Sequence, residues 1–364
     1  MRLFLRLLAV AVLGLLALTA YALISSPVEP AAYQPLPAPE LVGKLSPNQT
    51  LTQATLLATG QIIGPEDVDE DTQGRVYAGL ADGRIVRITE GEVETFVETG
   101  GRPLGLAFDP DGNLIVADAV QGLLKVTPEG KLTQLLTEVD GLAFGFTDDV
   151  DVGRDGTIYF SDASSKWGMQ DYKKDVIEMR PYGRLIRFDP ATNSAQTLLQ
   201  DLYFANGVAL SADEDFVLVN ETWTYRVLRY WLKGERAGQT DVFIDNLPGF
   251  PDGISRGQHP VTGEPIFWLA LFSPRNGLLD AAHPYPWVKK LMLALPEFLQ
   301  PQPVRYGLVL ALDSEGQVLG SLHDPSGQHL HEVTSVQQVG ESLYFGSLHN
   351  DRIGKLPVQT ALAP

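Results

Sequence analysis

The 364-residue sequence contains no cysteine, and this absence excludes several kinds of site at once. Zinc–thiolate sites, thiol nucleophiles and disulfide scaffolds all require cysteine. Basic residues are also scarce, with 27 Lys and Arg against 45 Asp and Glu and a net charge of −18. Because nucleic acids recruit proteins through basic surfaces, this balance argues against a nucleic-acid partner. It suits an exported domain or a protein that holds cations.

A long uncharged apolar run occupies the N-terminus, from Leu7 to Ile24, after Arg2 and Arg6. A helix of this length spans about 27 Å, close to the thickness of a bilayer core. Arginines before the run predict a cytoplasmic N-terminus, with the rest of the chain on the periplasmic or extracytoplasmic side. We interpret residues 1–25 as a single-pass signal anchor. The alternative is a signal peptide cleaved near residues 20–22, which would leave a secreted protein.

Proline is concentrated directly after this run, with five prolines between residues 26 and 40. Proline fixes its own φ angle and favours extended chain. We therefore predict an extended linker over residues 26–45, followed by one domain over residues 46–364.

One sequence pattern recurs six times in that domain: a strand, a polar turn with Gly, and a second strand. The period-two alternation and the Asp-Gly turns predict antiparallel strands. A single multi-stranded unit cannot bury its own face, so six copies predict an all-β fold, a six-bladed β-propeller. The WD signature of WD40 arrays is absent. The copies lie at 64–88, 102–126, 146–162, 204–222, 250–271 and 331–358.

Polar residues stand at the start of the first strand in most copies. Because the first strand of each blade lines the central channel, these side chains are expected to meet near the axis. Asp and Asn before a strand often only cap turns, but recurrence in four blades favours a shared site. Crowded carboxylates repel each other, and carboxylate and amide oxygens are the ligands that Ca²⁺ takes. The aligned residues are Glu66, Leu104 or Gly105, Asp148 with Asp149, Asn206, Asp252, and Glu332 to Thr334.

The fourth copy contains an Asn-Gly pair that opens a strand instead of sitting in a hairpin turn. We interpret Asn206 as a member of the axial ring and Gly207 as room for the backbone beside the metal. Asn220 closes the second strand, and we interpret it as an ordinary turn residue.

Several motifs resemble the strictosidine-synthase-like family, the group that includes the adipocyte plasma-membrane-associated protein: "GPED", "YFSDASSKW", "ANGVALSADEDFVLVNET", "LPGFPDGI" and "SLYFGSL". The resemblance covers residues 45–358 and relates the chain to the gluconolactonase/regucalcin and paraoxonase propellers. It implies calcium ligands at Glu66, Asp148, Asn206 and Asp252, and Asp148 stands where the family has Asn.

The implied reaction is calcium-dependent hydrolysis of a small ester or lactone, as in arylesterases and lactonases. Calcium would polarise the substrate carbonyl, and Asp252 would act as general base, with Asp149 as the second choice. One alternative is a non-catalytic binding propeller in which calcium is structural. A carbon–nitrogen condensing enzyme is disfavoured, because the family's last-blade glutamate aligns with Thr334, and Glu332 lies two residues earlier.

Two segments interrupt the blades, residues 163–183 in the third and 272–305 in the fifth, and the second is predicted to be helical. Its apolar stripe is consistent with a helix on the propeller edge, a lid over an apolar substrate entrance, or a helix on a membrane surface. Trp167 and Trp287 are candidate pocket walls, together with Thr334 and Glu332. The stripe consists of Trp287, Leu291, Met292, Leu295 and Phe298.

Overall fold

The computed structural model describes residues 1–362 and divides into two compact units. The first, the helical unit, consists of residues 1–36, 171–180 and 276–302. The second, the propeller unit, consists of residues 37–170, 181–275 and 303 onward.

The predicted six-bladed β-propeller is confirmed: the propeller unit contains six four-stranded antiparallel sheets. Strand β1 is Thr55–Leu57. The first blade contains β2 Val68–Glu70, β3 Val76–Gly79, β4 Arg84–Thr89 and β5 Glu92–Glu98, and the second contains β6 Pro103–Phe108, β7 Leu114–Asp118, β8 Gly122–Val126 and β9 Leu132–Leu136. A small hairpin follows, formed by β10 Glu138–Val139 and β11 Leu142–Ala143.

The third blade contains β12 Thr147–Val152, β13 Ile158–Asp162, β14 Gly183–Asp189 and β15 Ser194–Leu202, and the fourth contains β16 Ala205–Leu210, β17 Phe216–Glu221, β18 Arg226–Trp231 and β19 Thr240–Ile244. The fifth contains β20 Gly249–Gln258, β21 Pro265–Pro274, β22 Gly307–Asp313 and β23 Val318–Asp324, and the sixth contains β24 Val333–Val339, β25 Ser342–Ser347 and β26 Ile353–Pro357.

The sixth blade is completed by β1, which the sequence repeat did not reveal. Thr55 pairs with Lys355 and Leu57 with Ile353, so the outermost strand of the last blade comes from the beginning of the domain. This pairing closes the ring of blades and covers an edge that would otherwise be free to pair with other chains.

Apolar side chains on both faces of the inner strands pack between neighbouring blades. Tyr77 and Ile85 of the first blade form one buried cluster with Leu106, Leu114 and Val116 of the second. Because each sheet is covered on both faces, its central strands are apolar on both faces.

A shift of strand register recurs at the inner strand of blades two to six. In the third blade, Thr147 pairs with Asp162 but the next paired residue is Val150, opposite Phe160. Such a β-bulge breaks the alternation of side chains and redirects those at the bulge. The residues at the equivalent shifts are Leu104, Asp148 with Asp149, Asn206 with Gly207, Asp252 with Gly253, and Thr334 with Ser335.

Four α-helices lie in the helical unit: α1 Arg2–Ile24, α2 Tyr172–Glu178, α3 Gly277–Ala282 and α4 Pro286–Ala294; a fifth, α5 Val358–Ala361, follows β26. In the described chain, α1 is long and apolar enough to cross a membrane, as an anchor or a signal sequence. Segments α3 and α4 lie between β21 and β22 of the fifth blade. The predicted continuation of one helix to Phe298 is wrong: α4 ends at Ala294, because Pro296 disfavours helical conformation in the residue before it.

After α1, residues 26–42 form neither helix nor strand, and the first part of this segment is bonded within the helical unit. The backbone N–H of Glu29 donates to Oε1 of Glu178 at 2.8 Å, and that of Ala31 donates to the Glu178 carbonyl at 2.9 Å. Nζ of Lys289 donates to the Ala31 carbonyl at 2.8 Å. The side chains of Glu178 and Lys289 are fully buried, so this part of the linker is a packed element of the unit.

Candidate functional site

Four polar side chains occupy the same position in four blades, at the start of the inner strand, and each is between 4% and 8% exposed. The bulges in β12, β16 and β20 place three of them. Leu104 and Thr334 occupy the corresponding position in the other two blades. The four residues, which we call the axial ring, are Glu66, Asp148, Asn206 and Asp252.

Burial and nearby negative charges raise the pKa of the three carboxyl groups of the axial ring. Burial is the largest cause for Glu66, and the charges of Asp252 and Asp148 add to it, so its pKa lies well above the usual value. Burial and the charge of Asp252 raise the pKa of Asp148 in the same way. Burial raises the pKa of Asp252 to about 8, although a hydrogen bond from Asn206 lowers it. The ring therefore concentrates negative charge that the protein compensates only weakly.

The carboxylates of Glu66 and Asp148 lack hydrogen-bond donors among the described residues. Buried carboxylates usually accept hydrogen bonds, because leaving them without a partner costs folding free energy. Their oxygen atoms are therefore available to a ligand that supplies positive charge.

Asp149 is placed differently from Asp148. Its Oδ2 accepts a hydrogen bond from the backbone N–H of Val208 at 2.7 Å, and its Oδ1 accepts one from Val150 at 2.8 Å. The bond from Val208 joins the third blade to the fourth. Asp67 joins the first blade to the second in the same way, through a 2.8 Å hydrogen bond from the N–H of Leu106. The geometry favours Asp148 for the ring and gives Asp149 a role between blades.

The second blade contributes Arg102, a residue that our sequence comparison missed. Arg102 is 3% exposed, and its Nη1 donates to the Gly64 carbonyl at 3.0 Å. Among the described residues, its Nε and Nη2 atoms have no hydrogen-bond partner. Its charge lowers the pKa of Glu66 and Asp148 and so offsets part of their repulsion. In the sequence, Arg102 could have been identified by its position immediately before an apolar inner strand.

The interpretation of Asn220 as a turn residue is wrong. Asn220 lies within β17 and is fully buried, and its Nδ2 donates to the main-chain carbonyl of Asp252. Thr222 Oγ1 donates to the adjacent Pro251 carbonyl at 2.8 Å. These two side chains fix the backbone that carries Asp252, so they position a member of the ring.

Gly207 leaves space beside Asn206, and atoms of the fifth blade occupy most of that space. A Cβ atom at Gly207 would lie 2.3 Å from the Asp252 carbonyl oxygen and 2.5 Å from Nδ2 of Asn220. A side chain here would push the fourth and fifth blades apart. Glycine is therefore required for Asn206 and Asp252 to approach each other.

A cavity of about 130 Å³ extends from the ring along the axial channel. Glu66, Asp148, Asn206 and Thr334 line it. Such a volume is large enough for several waters or a small polar group.

Across residues 1–362, no group of three or more His, Cys, Asp or Glu side chains is arranged so that it could hold a metal ion by itself. The donor chemistry of the ring nevertheless fits a hard cation. Three buried carboxylates and one amide supply oxygen ligands only, and two of the carboxylates have no hydrogen-bond donor. The amide carbonyl of Asn206 would have to be part of any such site.

Thr334 and Glu332 differ in position. Thr334 is buried at the ring position of the sixth blade, and its Oγ1 donates to the main-chain carbonyl of Glu66 at 2.7 Å. Glu332 precedes β24 with a φ angle of +49° and accepts a hydrogen bond from Nδ1 of His349. It does not line the axial cavity.

The two tryptophans predicted as pocket walls lie outside the axial ring. Trp167 is partly buried in the loop after β13 and does not line the axial cavity. Trp287 lies on α4 of the helical unit and is 58% exposed. Their role in substrate binding stays a prediction.

Comparison with known proteins identifies the family. The model of the strictosidine synthase family matches residues 148–235, and that of the strictosidine synthase-like N-terminal region matches residues 43–88. The chain is 36% identical to the adipocyte plasma membrane-associated protein of Mus musculus, over 94% of this chain and 87% of the relative. The chain belongs to the strictosidine synthase-like family. It is also 37% identical to protein STRICTOSIDINE SYNTHASE-LIKE 6 of Arabidopsis thaliana, over 84% of this chain and 82% of that one.

Solved structures similar to this strictosidine synthase-like chain share its fold. A gluconolactonase from Xanthomonas campestris superposes with a TM-score of 0.61 at 18% identity, covering 92% of this chain and 99% of that one. Regucalcin, a calcium-binding protein from Agrobacterium tumefaciens, superposes with a TM-score of 0.56 at 15% identity, covering 83% and 90%.

Proposed function

We propose that this strictosidine synthase-like chain is a calcium-dependent hydrolase of small esters or lactones, with its active site at the axial ring. The observation that carries the proposal is the set of three buried carboxyl groups whose pKa values are raised by burial and by neighbouring carboxylates, with the charge of Asp252 acting on Glu66 and Asp148. Such concentrations of perturbed carboxyl groups in a cavity are typical of functional sites. Arg102 is the basic residue that lowers the pKa of Glu66 and Asp148 among the described residues, so we infer that a cationic ligand completes the ring.

The oxygen atoms of Glu66, Asp148, Asn206 and Asp252 would hold the calcium ion. When bound, calcium would polarise the carbonyl of the substrate and stabilise negative charge on its oxygen. The carboxyl groups would release the protons that they hold when such a cation binds, because a nearby positive charge lowers their pKa. Arg102 balances part of the remaining negative charge.

Asp252 is our candidate general base. Its carboxylate takes a proton from a water molecule whose oxygen forms a bond to the carbonyl carbon of the ester. The bond to the leaving oxygen then breaks, and that oxygen receives the proton, so the products are an acid and an alcohol. Asn206 donates a hydrogen bond to Asp252, and Asn220 holds its main-chain carbonyl, so the base has a fixed orientation.

Similar folds support the choice of substrate and cation. One structural neighbour is named as a gluconolactonase and another as a calcium-binding protein. The condensing reaction has less support, because Thr334 stands at the position where the resemblance implies a glutamate. A threonine hydroxyl does not take up a proton near neutral pH, and this hydroxyl already donates to the Glu66 carbonyl.

A turnover assay with the purified full chain in detergent tests the proposal. We expect hydrolysis of at least one member of a panel of aryl acetates and lactones, loss of that activity in EDTA, and recovery after calcium is returned. Calcium content is measured in the same samples. If calcium is bound stoichiometrically but the panel is not hydrolysed, the chain is a calcium-stabilised binding propeller. If activity persists without calcium, the role of the cation is wrong.

A further inference from the structure

The last segment of the helical unit, residues 276–302, exposes a group of large apolar side chains. Their exposed fractions range from 42% to 80%. All lie on or beside α3, α4 and the short 3-10 helix Glu297–Leu299 that follows. We call this group the apolar surface; it consists of Leu278, Tyr285, Trp287, Leu295, Phe298 and Leu299.

Isolated exposed apolar residues are normal on proteins, but this group differs in density and composition. It places six such residues, three of them aromatic, within 22 positions. The described residues of the propeller unit expose seven large apolar side chains in all, and each is aliphatic: Val42, Ile63, Val120, Leu142, Val242, Val261 and Val304. Exposed Trp, Tyr and Phe beside apolar helices are typical of the interface between a bilayer and water.

The C-terminal end of α1 lies next to α4. Nζ of Lys290 contacts the carbonyl oxygen of Leu23 at 3.5 Å, in the last turn of α1. At 23 residues, α1 is about 34 Å long and slightly exceeds the hydrocarbon thickness. If α1 spans a bilayer, Leu23 lies near the membrane surface, and its contact with Lys290 puts α4 at that level.

The linker keeps the helical unit close to this exit point. Ala31, seven residues after the end of α1, is bonded to both Glu178 and Lys289. The unit therefore cannot drift away from the membrane surface on a long free tether.

Charge is also distributed in a way that permits contact with lipid headgroups. After α1, the helical unit contains five basic and six acidic residues, whereas the propeller unit contains 20 basic and 39 acidic residues. Anionic headgroups repel acidic surfaces. The helical unit is thus spared the repulsion that the propeller's net charge of −19 would cause.

From these observations we propose that the apolar surface inserts into the headgroup region of the bilayer that α1 spans. The partner is the lipid bilayer itself. The chain would then meet the membrane through two elements, a spanning helix and a shallow interfacial patch. The proposal requires α1 to remain attached, and it is independent of the reaction at the axial ring.

The absence of cysteine makes this proposal directly testable by site-specific spin labelling. Single-cysteine variants Phe298→Cys and Leu278→Cys are labelled with a nitroxide in the full chain. The N-terminus is verified by mass, and the protein is reconstituted in vesicles of phosphatidylcholine and phosphatidylglycerol. Val261→Cys, at a position 84% exposed in the turn after β20, is the reference for water. Thermal melting of each variant is compared with that of the parent, to confirm folding.

We expect the ratio of collision rates with oxygen and with a water-soluble nickel complex to be several-fold higher at positions 298 and 278 than at 261. Equal ratios at the three positions would overturn the proposal. Dipolar broadening between labels at 298 that disappears on dilution with unlabelled protein would show that a second copy covers the surface, and this also overturns it. Loss of hydrolase activity in any variant leaves the proposal unaffected.

Discussion

The two units of this protein both bury charged side chains, but they treat them in different ways. In the helical unit, Glu178 and Lys289 are fully buried, and each makes a hydrogen bond to the backbone of the linker. In the propeller unit, Glu66 and Asp148 are almost as buried, yet no described residue donates a hydrogen bond to their carboxylates.

Burial alone therefore does not distinguish a structural charge from a functional one. A charge whose hydrogen bonds are satisfied within the protein contributes to folding, and removing its partner is costly. A charge that is buried and left without donors lowers stability unless a ligand binds there. On this criterion, the pair in the helical unit is structural, and we propose that the axial ring is a ligand site.

The largest expected effect is on catalysis at Asp252. We expect Asp252→Asn to lower kcat by about a hundredfold to ten-thousandfold, because the amide cannot accept the proton of water. Folding should be retained, since the substitution removes a repelling charge. Steady-state kinetics on the best substrate of the panel, together with thermal melting, gives both values.

Asp149→Asn is the matched control, because its carboxylate is bonded between blades. We expect this substitution to lower the melting temperature and to have only a small effect on kcat. If Asp149→Asn abolishes turnover in a protein of normal stability while Asp252→Asn remains active, Asp149 is the base.

The next largest effect concerns the buried charges of the helical unit. We expect Lys289→Ala to lower the free energy of unfolding by about 3 kcal/mol, because it removes the buried ammonium that donates to the Ala31 carbonyl and takes away a positive charge near the buried Glu178. Faster proteolysis of the linker, measured by the rate of cleavage within residues 26–36, should accompany the loss.

Lys174→Ala is the control for Lys289→Ala. Lys174 pairs with Asp171 at 2.6 Å, but both side chains are partly exposed, so we expect a change below about 1 kcal/mol. Equal effects of the two substitutions would show that the buried lysine is not a structural element.

A smaller effect is expected at Gly207. Gly207→Ala should lower the free energy of unfolding by about 1–3 kcal/mol, because its Cβ meets the Asp252 carbonyl and Asn220. It should also weaken calcium binding, measured by titration calorimetry. Gly277→Ala, whose Cβ would have no neighbour within 4 Å, is the control and should change neither quantity appreciably. An unchanged calcium affinity in Gly207→Ala would argue against a ring assembled from two blades.

A further expected effect is the dependence of stability on pH. The pKa of Asp252 is about 8 in the folded protein, against a usual value of 3.8. Between these values the unfolded state has lost the proton that the folded state keeps, so stability without calcium should fall as pH rises from about 4 to 8. Above pH 8 both states are ionised and this contribution becomes constant. Urea unfolding in EDTA at pH 5 and pH 8 measures the difference.

Asp252→Asn should make this pH dependence shallower, whereas Asp213→Asn, on an exposed turn, should leave it unchanged. An identical slope in the parent and in Asp252→Asn would show that Asp252 does not titrate in this range.

The repeat in the sequence predicted the propeller and the position of each ring residue, because a residue pattern repeated six times constrains the same place in every blade. It could not separate Asp148 from Asp149. Period-two alternation puts neighbouring residues on opposite faces, but a β-bulge at this point breaks the alternation. The direction of each side chain follows only from the register, which sequence periodicity does not contain.

The residues that the sequence comparison missed act from outside the aligned position. Arg102 precedes the inner strand, and Asn220 reaches Asp252 from the second strand of the preceding blade. The pairing of β1 with β26 joins segments 300 residues apart and carries no local pattern in either one. Contacts of this kind depend on how blades meet, so they become visible only in the assembled ring.

The pairing of β1 with β26 also affects how the protein is made. Lys355 is synthesised 300 residues after Thr55, so the last blade cannot form until β26 has emerged. Long-range pairing of this kind folds slowly, because a large loop must close first. With α1 at the beginning of the chain, membrane targeting would begin well before the ring can close. Premature termination within β26 would leave β1 unpaired and the edge of β25 open to pairing with other chains.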